Sequence, residues 1–488
     1  MQRREFLRLT GAAAAATGLA RLSRPASAQG ASPARDARPD YTVRIATGPV
    51  ELAPDRFVST TTYNGQFPGP LLRFKEGQRA VVDIINDTDT PEQLHWHGQR
   101  LPIEVDGAAE EGTPFIPARG RRREIFVPGP AGFRFYHTHV RAGPDLAQGQ
   151  YSGQVGPVYI EPRHERGDYD REIFLVLKEF EPYFMRGGDM SMEMLAGTPD
   201  LRELKELGAK GDREAGNAPK GYEVSYRSFA INGRMLGHGE PLRVKPGERV
   251  LLHVLNGSAT ELRSLALPGH RFEVVALDGN PVPRPASVPV LWLGTAERVS
   301  AIVEMNHPGI WILGDVSDDD RKNGMGMVVE YAGHKGKPRW EKPRPARWDY
   351  TAFATPGATA RAPDQTFAMT FTKAQAAEEG FNRWSINGVP FSMDRMEPLF
   401  RIRQGKRYRL HLRNASDDLH PLHLHRHSFE LTRFAGKATA GLLKDVVMLG
   451  GFQELEVDFV ADNPGMTLFH CHQQIHMDFG FMALFDYA

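Results

Sequence analysis

The chain has 488 residues, which is enough for two to four domains with ample hydrophobic cores. Its 60 basic residues balance its 60 acidic residues, so the charge gives no indication of a nucleic-acid or anionic-membrane partner. The mean hydropathy of -0.42 and the lack of a long apolar run beyond the N-terminus argue against a membrane span and predict a soluble protein.

The first 28 residues predict an export signal rather than part of the fold. Arg3-Arg4 precedes a weakly apolar stretch of glycine and alanine, and Ala26-Ser27-Ala28 supplies a small-residue cleavage site. This combination is typical of a twin-arginine signal peptide. We therefore expect residues 1–28 to direct the protein to the periplasm or the medium.

The rest of the chain repeats one unit three times. Each unit has an Asn-Gly turn signal, then an alternating apolar and polar stretch typical of half-buried strands, and then a glycine five residues before a closing triplet. The stretches read GPLLRFKEGQRAVVDIIN (69–86), EPLRVKPGERVLLHVLN (240–256) and EPLFRIRQGKRYRLHLRN (397–414). The repeats and the many turn residues predict three β-sandwich domains at 40–165, 170–335 and 365–488.

Two segments fall outside this repeat. Residues 336–364 are rich in Pro, Lys and Arg, which predicts an extended linker over the surface. The insert that follows the first domain predicts one short helix near 201–207 before the chain returns to a loop.

Histidines occupy equivalent places in the first and third units. Superposing the units on their asparagines Asn86, Asn256 and Asn414 gives four His-x-His pairs, whereas the middle unit has apolar residues or glycine at the same places. Side chains two residues apart on a strand point to one face, so each pair can bind metal together. The pairs are His95 and His97, His137 and His139, His423 and His425, and His470 and His472.

Cys471, the only cysteine of the chain, lies between His470 and His472. On a strand, its thiolate points away from the face that the two imidazoles share. A thiolate with two imidazoles is the ligand set of a blue-copper site, and His420 and His476 would complete it. Eight histidines exceed the needs of a structural zinc site. The pattern therefore favours a one-electron copper site that is connected through the backbone of Cys471 and its neighbours to a second metal cluster.

The motifs HWHG (95–98), HTH (137–139), HPLHLH (420–425) and HCHxxxH (470–476) resemble those of multicopper oxidases of the three-domain laccase type. The resemblance implies an all-β fold of three consecutive cupredoxin-like Greek-key β-sandwich domains. It also implies four copper ions: type 1 at His420, Cys471 and His476, type 2 at His95 and His423, and a type 3 pair at His97, His137, His139, His425, His470 and His472.

The same resemblance implies an activity. The family takes single electrons from a donor near the type 1 copper, here at the edge of His476, and reduces dioxygen to water at the other three coppers. Relatives with three domains are usually monomeric, so a monomer is expected.

The chain departs from the family pattern at a few positions. Phe481 stands where many bacterial members have an axial methionine, which should raise the type 1 potential, although a shift of one residue would place the Met482 thioether there. Met477 replaces a glutamate that helps to deliver protons, so Asp106 is predicted as the main proton relay. Asp106 could instead serve only to form a turn in EVDG. Arg426 replaces the glycine of HLHGH, which leaves the loop shape open.

Three functions remain compatible with the sequence. The first is a laccase-like oxidase of phenols or aromatic amines, favoured by Phe481. The second is a periplasmic cuprous oxidase for copper tolerance, favoured by Met190, Met192 and Met194 because thioethers select Cu(I). The third is a non-enzymatic copper-binding protein, which the complete set of ligands disfavours.

Overall fold

A computed structural model describes residues 38–163, 167–187, 195, 201–215 and 220–488. The predicted export signal at 1–28 and the methionines Met190, Met192 and Met194 lie outside the described residues. Within the described part of the chain, no helix is both long and apolar enough to cross a bilayer.

The first domain is a sandwich of two four-stranded sheets, ordered β2-β1-β4-β6 and β3-β8-β7-β5. Because burial alternates along the strands, one face of each sheet points inward, and the inward side chains include the aromatic core residues Phe74, Trp96, Phe126 and Tyr136. The strands are β1 (Tyr41–Ala53), β2 (Arg56–Tyr63), β3 (Leu72–Lys75), β4 (Ala80–Asn86), β5 (His95–His97), β6 (Arg121–Phe126), β7 (Gly132–His137) and β8 (Val155–Glu161). Helix α1 (Ile103–Asp106) and 3-10 turns at Ala109–Glu111 and Gly149–Tyr151 lie in its loops.

The second domain repeats the sandwich and carries two further helices, α2 (Arg202–Ala215) and α3 (Asp318–Lys322). Its smaller sheets have the orders β11-β19-β18 and β13-β16. The strands are β9 (Arg171–Arg186), β10 (Tyr222–Ile231), β11 (Leu242–Val244), β12 (Arg249–Asn256), β13 (Arg263–Leu265), β14 (Phe272–Leu277), β15 (Asn280–Val288), β16 (Leu291–Leu293), β17 (Arg298–Glu304), β18 (Ile310–Gly314) and β19 (Gly326–Tyr331).

The third domain has a five-stranded sheet with the order β22-β30-β29-β24-β27 and the short helix α4 (Gln474–Asp478). The strands are β20 (Gln365–Glu378), β21 (Phe381–Ile386), β22 (Phe400–Ile402), β23 (Arg407–Asn414), β24 (His420–Leu424), β25 (Phe429–Phe434), β26 (Lys437–Lys444), β27 (Val446–Leu449), β28 (Glu454–Val460), β29 (Thr467–Cys471) and β30 (Met482–Tyr487).

The Asn-Gly turns explain why the three repeats align. In each unit both turn residues have positive φ angles, for example 55° at Asn64 and 68° at Gly65. Two consecutive left-handed residues match the twist of a hairpin, and Asn and Gly adopt them most readily. The predicted fold class, three consecutive β-sandwiches, is confirmed by the structure.

The second and third domains share one sheet, which the repeats did not predict. Twelve strands run in the order β15-β14-β17-β12-β9-β10-β21-β20-β23-β28-β25-β26. The two halves join where β10 pairs with β21 in parallel at Tyr222 and Phe381. One hydrophobic core accordingly extends through both domains.

Two local expectations need correction. The insert helix is longer than 201–207, because α2 continues to Ala215. The linker 336–364 does not stay on the surface, since Trp348, Tyr350 and Phe353 are buried in the core shared by the second and third domains. The aromatic residues between its prolines and arginines contribute apolar area that is stabilising only when buried.

Candidate metal centres

The four histidine pairs meet between the first and third domains. Strand β5 pairs with β7 so that His95 lies opposite His137, and β24 pairs with β29 so that His423 lies opposite His470. Rings from different domains stack directly: the His97 and His423 centroids are 3.8 Å apart, and those of His95 and His425 are 4.1 Å apart. The eight buried imidazoles are His95, His97, His137, His139, His423, His425, His470 and His472.

Main-chain carbonyl groups fix which ring nitrogen of several of these histidines is free. Nδ1 of His95, His137, His423 and His470 each lies 2.7–2.8 Å from a backbone oxygen and must donate to it. Their Nε2 atoms are then available as acceptors, and those of His95, His137 and His423 are buried without any hydrogen-bond partner. Unpartnered buried nitrogen atoms are costly, so these imidazoles fit a site that binds cations.

The nitrogen atoms come close enough to share metal ions. Ligand atoms of three histidine sets lie within 4.8 Å of one another, namely His95, His423 and His425, then His95, His97 and His137, and then His139, His425 and His470. Burial lowers the pKa of His97, His137, His423, His425, His470 and His472 well below the usual value. These rings are therefore neutral at pH 7, which is the form that binds metal.

The predicted type 1 ligands form a separate site on the other face of the same strands. His420 and His423 are three residues apart on β24 and so point to opposite faces. Nδ1 of His420 lies 3.1 Å from Nδ1 of His476, and Sγ of Cys471 lies 3.6 Å and 3.4 Å from these atoms. Burial raises the pKa of the Cys471 thiol, so a thiolate here requires a bound cation.

Phe481, not Met482, faces this site. The Phe481 ring is fully buried, and its centroid lies 4.7 Å from that of His420. Met482 belongs to a different cluster, with Leu468 and Met477, because adjacent residues at the start of β30 face opposite ways. The axial position therefore has no thioether.

Three acidic residues of the first domain contact the histidine cluster, and of these the sequence predicted one. Asp106 is fully buried with Oδ2 at 2.9 Å from Nδ1 of His425. Glu111 lies beside it, with Oε1 at 3.6 Å from the same nitrogen, and burial and the charge of Asp106 raise its pKa well above the usual value. Glu110 lies 3.2 Å from Nδ1 of His139. The adjacent glutamates in AAEEG, just after EVDG, were the available signal.

Arg426 adopts the backbone conformation that favours glycine at its position. Its φ of 59° is left-handed, and its side chain is 1% exposed. The guanidinium donates to five groups: the main-chain oxygens of Leu101, Asn463, Pro464 and Met466 and the hydroxyl of Thr467. It therefore connects the loop before β29 to the first domain.

His476 lines a cavity of about 550 Å³ beside the predicted type 1 site. The cavity combines apolar walls, including Trp292 and Leu262, with Met185, which is 40% exposed. Its lining includes one basic side chain, Lys342, and five carboxylic side chains, Glu223, Glu261, Asp315, Asp320 and Asp418. Burial raises the pKa of Glu261 to about 7, and burial together with the charge of Asp418 raises that of Glu223 to about 8.

Comparisons with known proteins agree with this geometry. Models of the multicopper oxidase family match residues 45–165, 205–329 and 361–488. The multicopper oxidase MmcO of Mycobacterium tuberculosis is 29% identical over 447 residues, which covers 88% of this chain and 83% of the relative. The crystal structure of a multi-copper oxidase from Pseudomonas thermotolerans superposes with a TM-score of 0.66 at 25% identity and covers 92% of this chain and 98% of that one.

A fold likeness extends to more distant proteins. Fet3p, a multicopper oxidase that functions in iron import, superposes with a TM-score of 0.71 at 17% identity, covering 92% of this chain and 90% of that chain. Three cupredoxin-like domains and two buried ligand clusters define a copper-dependent oxidoreductase. The chain belongs to the multicopper oxidase family, as its motifs predicted.

Family membership confirms the predicted cofactors and the predicted enzymatic activity. The enzyme uses four copper ions and dioxygen as the electron acceptor, so it is not a mere copper-binding relative. When bound, copper supplies one-electron oxidation of the donor and four-electron reduction of dioxygen to water. The residues present would hold the ions in the two ligand clusters, burial shields Cys471 from water, and Asp106 lies within proton-transfer distance of His425. The assignment of individual residues to the type 1, type 2 and type 3 ions stays a prediction.

Proposed function

We propose that this enzyme is a laccase-like oxidase whose preferred donors are aromatic amines bound in the cavity beside His476. The observation that carries the proposal is the lining of this cavity, where Trp292 and aliphatic side chains lie among five carboxylic groups. Its volume of about 550 Å³ suits a small aromatic molecule.

The acidic lining favours a donor that becomes cationic. An aromatic amine that loses one electron turns into a radical cation, so ionised carboxylates stabilise the product more than the reactant. Interactions that strengthen along the reaction raise its rate, whereas uniform binding does not. A neutral phenol loses a proton as well as an electron and gains less from the same charges.

Cu(I) is a second candidate donor. Met185 lines the same cavity, and a thioether selects a soft cation such as Cu(I). Met190, Met192 and Met194 follow Met185 closely in the chain. This reading requires the cavity to bind a metal ion rather than an aromatic ring.

The test compares oxygen uptake with a p-phenylenediamine, a methoxyphenol and Cu(I). At pH 9, where both carboxyl groups are ionised, we expect Glu223→Gln together with Glu261→Gln to lower kcat/KM for the amine about 10-fold, which corresponds to about 1.4 kcal/mol, with a smaller effect on the phenol. Asp89→Asn is the matched control, because its side chain is 83% exposed and lies in the first domain. If these variants, and Met185→Leu in particular, lose oxidation of Cu(I) but keep oxidation of the amine and the phenol, Cu(I) replaces the amine as the proposed donor.

We further propose that the enzyme acts as a monomer outside the cytoplasm. The support is the sequence Arg3-Arg4 with the cleavage motif at 26–28, and the usual state of three-domain relatives. Replacing both arginines with lysine should retain the protein in the cytoplasmic fraction. Export of that variant at the normal level would contradict the proposed export. Light scattering measures the mass in solution and so tests whether the enzyme is a monomer.

A further inference from the structure

Asp445, between β26 and β27, contacts one histidine from each outer domain. Its Oδ1 lies 3.1 Å from Nε2 of His97, and its main-chain oxygen accepts a hydrogen bond of 2.7 Å from Nδ1 of His423. Asp445 is fully buried, and the two rings that it contacts are stacked. One residue therefore adjoins imidazoles from both sides of the cluster.

These contacts determine which nitrogen atom each ring offers. A carboxylate without a proton only accepts, so the nitrogen of His97 that faces Asp445 carries the hydrogen and Nδ1 is left free. The main-chain oxygen likewise leaves Nε2 of His423 free. Both free atoms are buried without a hydrogen-bond partner, and both rings belong to sets of histidines whose ligand atoms lie within 4.8 Å of one another.

Arginines from the other two domains hold the Asp445 carboxylate. Arg298, the first residue of β17 in the middle domain, places its two terminal nitrogens 2.6 Å from Oδ1 and from Oδ2. Arg134, from β7 of the first domain, lies 3.2 Å from Oδ2. A bidentate pair of this kind fixes geometry as well as charge.

The middle domain also fixes the main chain at Asp445. Oδ2 of Asp278 accepts from the Asp445 amide at 3.2 Å and from the Val446 amide at 3.1 Å. Gly98 leaves room for the assembly, because a Cβ there would lie 2.7 Å from both Arg298 and Asp445. The close approach is thus built into the HWHG motif.

We propose that Asp445 is a positioning residue for His97 and His423, the histidines that it contacts in the eight-histidine cluster. Through Arg298, the middle domain, which has no predicted histidine ligands, becomes a structural part of that cluster. The domain would then set ligand orientation without touching metal. Loss of a group that orients a metal-bound histidine typically weakens metal affinity about 10–100-fold. The proposal is independent of which donor the enzyme uses.

The test measures copper retention in the full-length holoenzyme against a competing chelator. In Asp445→Asn and in Arg298→Met, we expect copper of the histidine cluster to dissociate about 10–100-fold more readily. The visible thiolate-to-copper band of the Cys471 site should persist. Arg298→Lys keeps one charge but loses the bidentate geometry, and we expect it to fall between Arg298→Met and the unmodified enzyme.

Asp458→Asn is the matched control. Asp458 is a buried aspartate of the third domain that bridges Arg407 and Arg409 without contacting a histidine. If Asp458→Asn loses cluster copper as readily as Asp445→Asn, or if Asp445→Asn loses the thiolate band in parallel, the role is general stability and the proposal fails. Unchanged copper retention in both Asp445→Asn and Arg298→Met would also overturn it. Should Arg298→Met not fold, Arg298→Lys alone decides in the same way.

Discussion

The site at Cys471 has an aromatic ring where a fourth ligand could stand. Phe481 packs against His420 and Phe371, with centroid distances of 4.7 and 4.8 Å. A phenyl ring cannot donate electron pairs to Cu(II), so the reduced ion is favoured. We expect Phe481→Met to lower the type 1 potential by roughly 60–120 mV, one to two tenfold steps in a one-electron equilibrium. Redox titration of the visible band measures this, and an unchanged or higher potential would refute the axial role.

Cys471 should account for the colour of the enzyme. Its thiolate, with His420 and His476, is the source of charge transfer to copper. We expect Cys471→Ser to abolish the intense visible band and one bound copper per chain while the histidine cluster keeps its copper. Absorption spectra together with metal analysis check this. A blue Cys471→Ser protein would contradict the assignment.

The donor cavity should respond to pH through its carboxyl groups. With a pKa of about 7 for Glu261 and about 8 for Glu223, both are largely neutral at pH 6 and ionised at pH 9. Rising pH therefore adds negative charge, and anaerobic reduction of the Cys471 site by an aromatic amine should accelerate between these values. Stopped-flow traces measure the rate, and Glu223→Gln should flatten the upper part of the profile. The same profile in Glu223→Gln would remove Glu223 from the explanation.

At the residue scale, the sequence predicted the ligands better than their surroundings. The i, i+2 spacing correctly placed both histidines of a pair on one face, because the alternation of side chains along a strand is a local property. Glu111 and Asp445 were not predicted because their contacts to the cluster depend on domain packing, and Glu110 was not predicted because a loop outside the strand pattern brings it to His139. Glu111, for instance, accepts a hydrogen bond from the amide of Leu468 in the third domain.

Among the elements, the loop after β24 depends on one arginine. A left-handed conformation at Arg426 costs about 1–3 kcal/mol relative to an unstrained residue, which glycine would relieve. Arg426→Gly also removes a donor from the part-buried carbonyl groups of Asn463, Pro464 and Met466, at about 1–3 kcal/mol each. We therefore expect Arg426→Gly to destabilise the protein by about 2–5 kcal/mol net, measured by denaturant unfolding. Equal or greater stability would show that strain dominates.

Element bounds were harder to predict where tertiary contacts decide them. Helix α2 runs past its apolar stretch to Ala215 and packs against β20. The linker was misjudged because proline and arginine dominate its composition, whereas the aromatic rings of Trp348, Tyr350 and Phe353 determine its path. Composition averages over residues, but burial acts on each side chain separately.

At the scale of the molecule, the shared sheet should make two domains unfold together. The second and third domains have one core and one twelve-stranded sheet, whereas much of the first domain packs around its own core. We expect copper-free protein to show at most two calorimetric transitions, because domains with a common core lose stability together. Copper binds residues of the first and third domains and should merge and raise these transitions. Three resolved transitions in copper-free protein would contradict this view.

Strands β24 and β29 carry residues of both metal centres on their opposite faces. Electrons that pass between the two centres therefore cross a single pleated layer of backbone. A side-chain substitution does not change the thickness of that layer. Changes of donor are therefore expected to alter the redox potential of the Cys471 site or the shape of the cavity beside His476. Relatives that use other reductants should differ around His476 and keep the residues of β24 and β29 that connect the two centres.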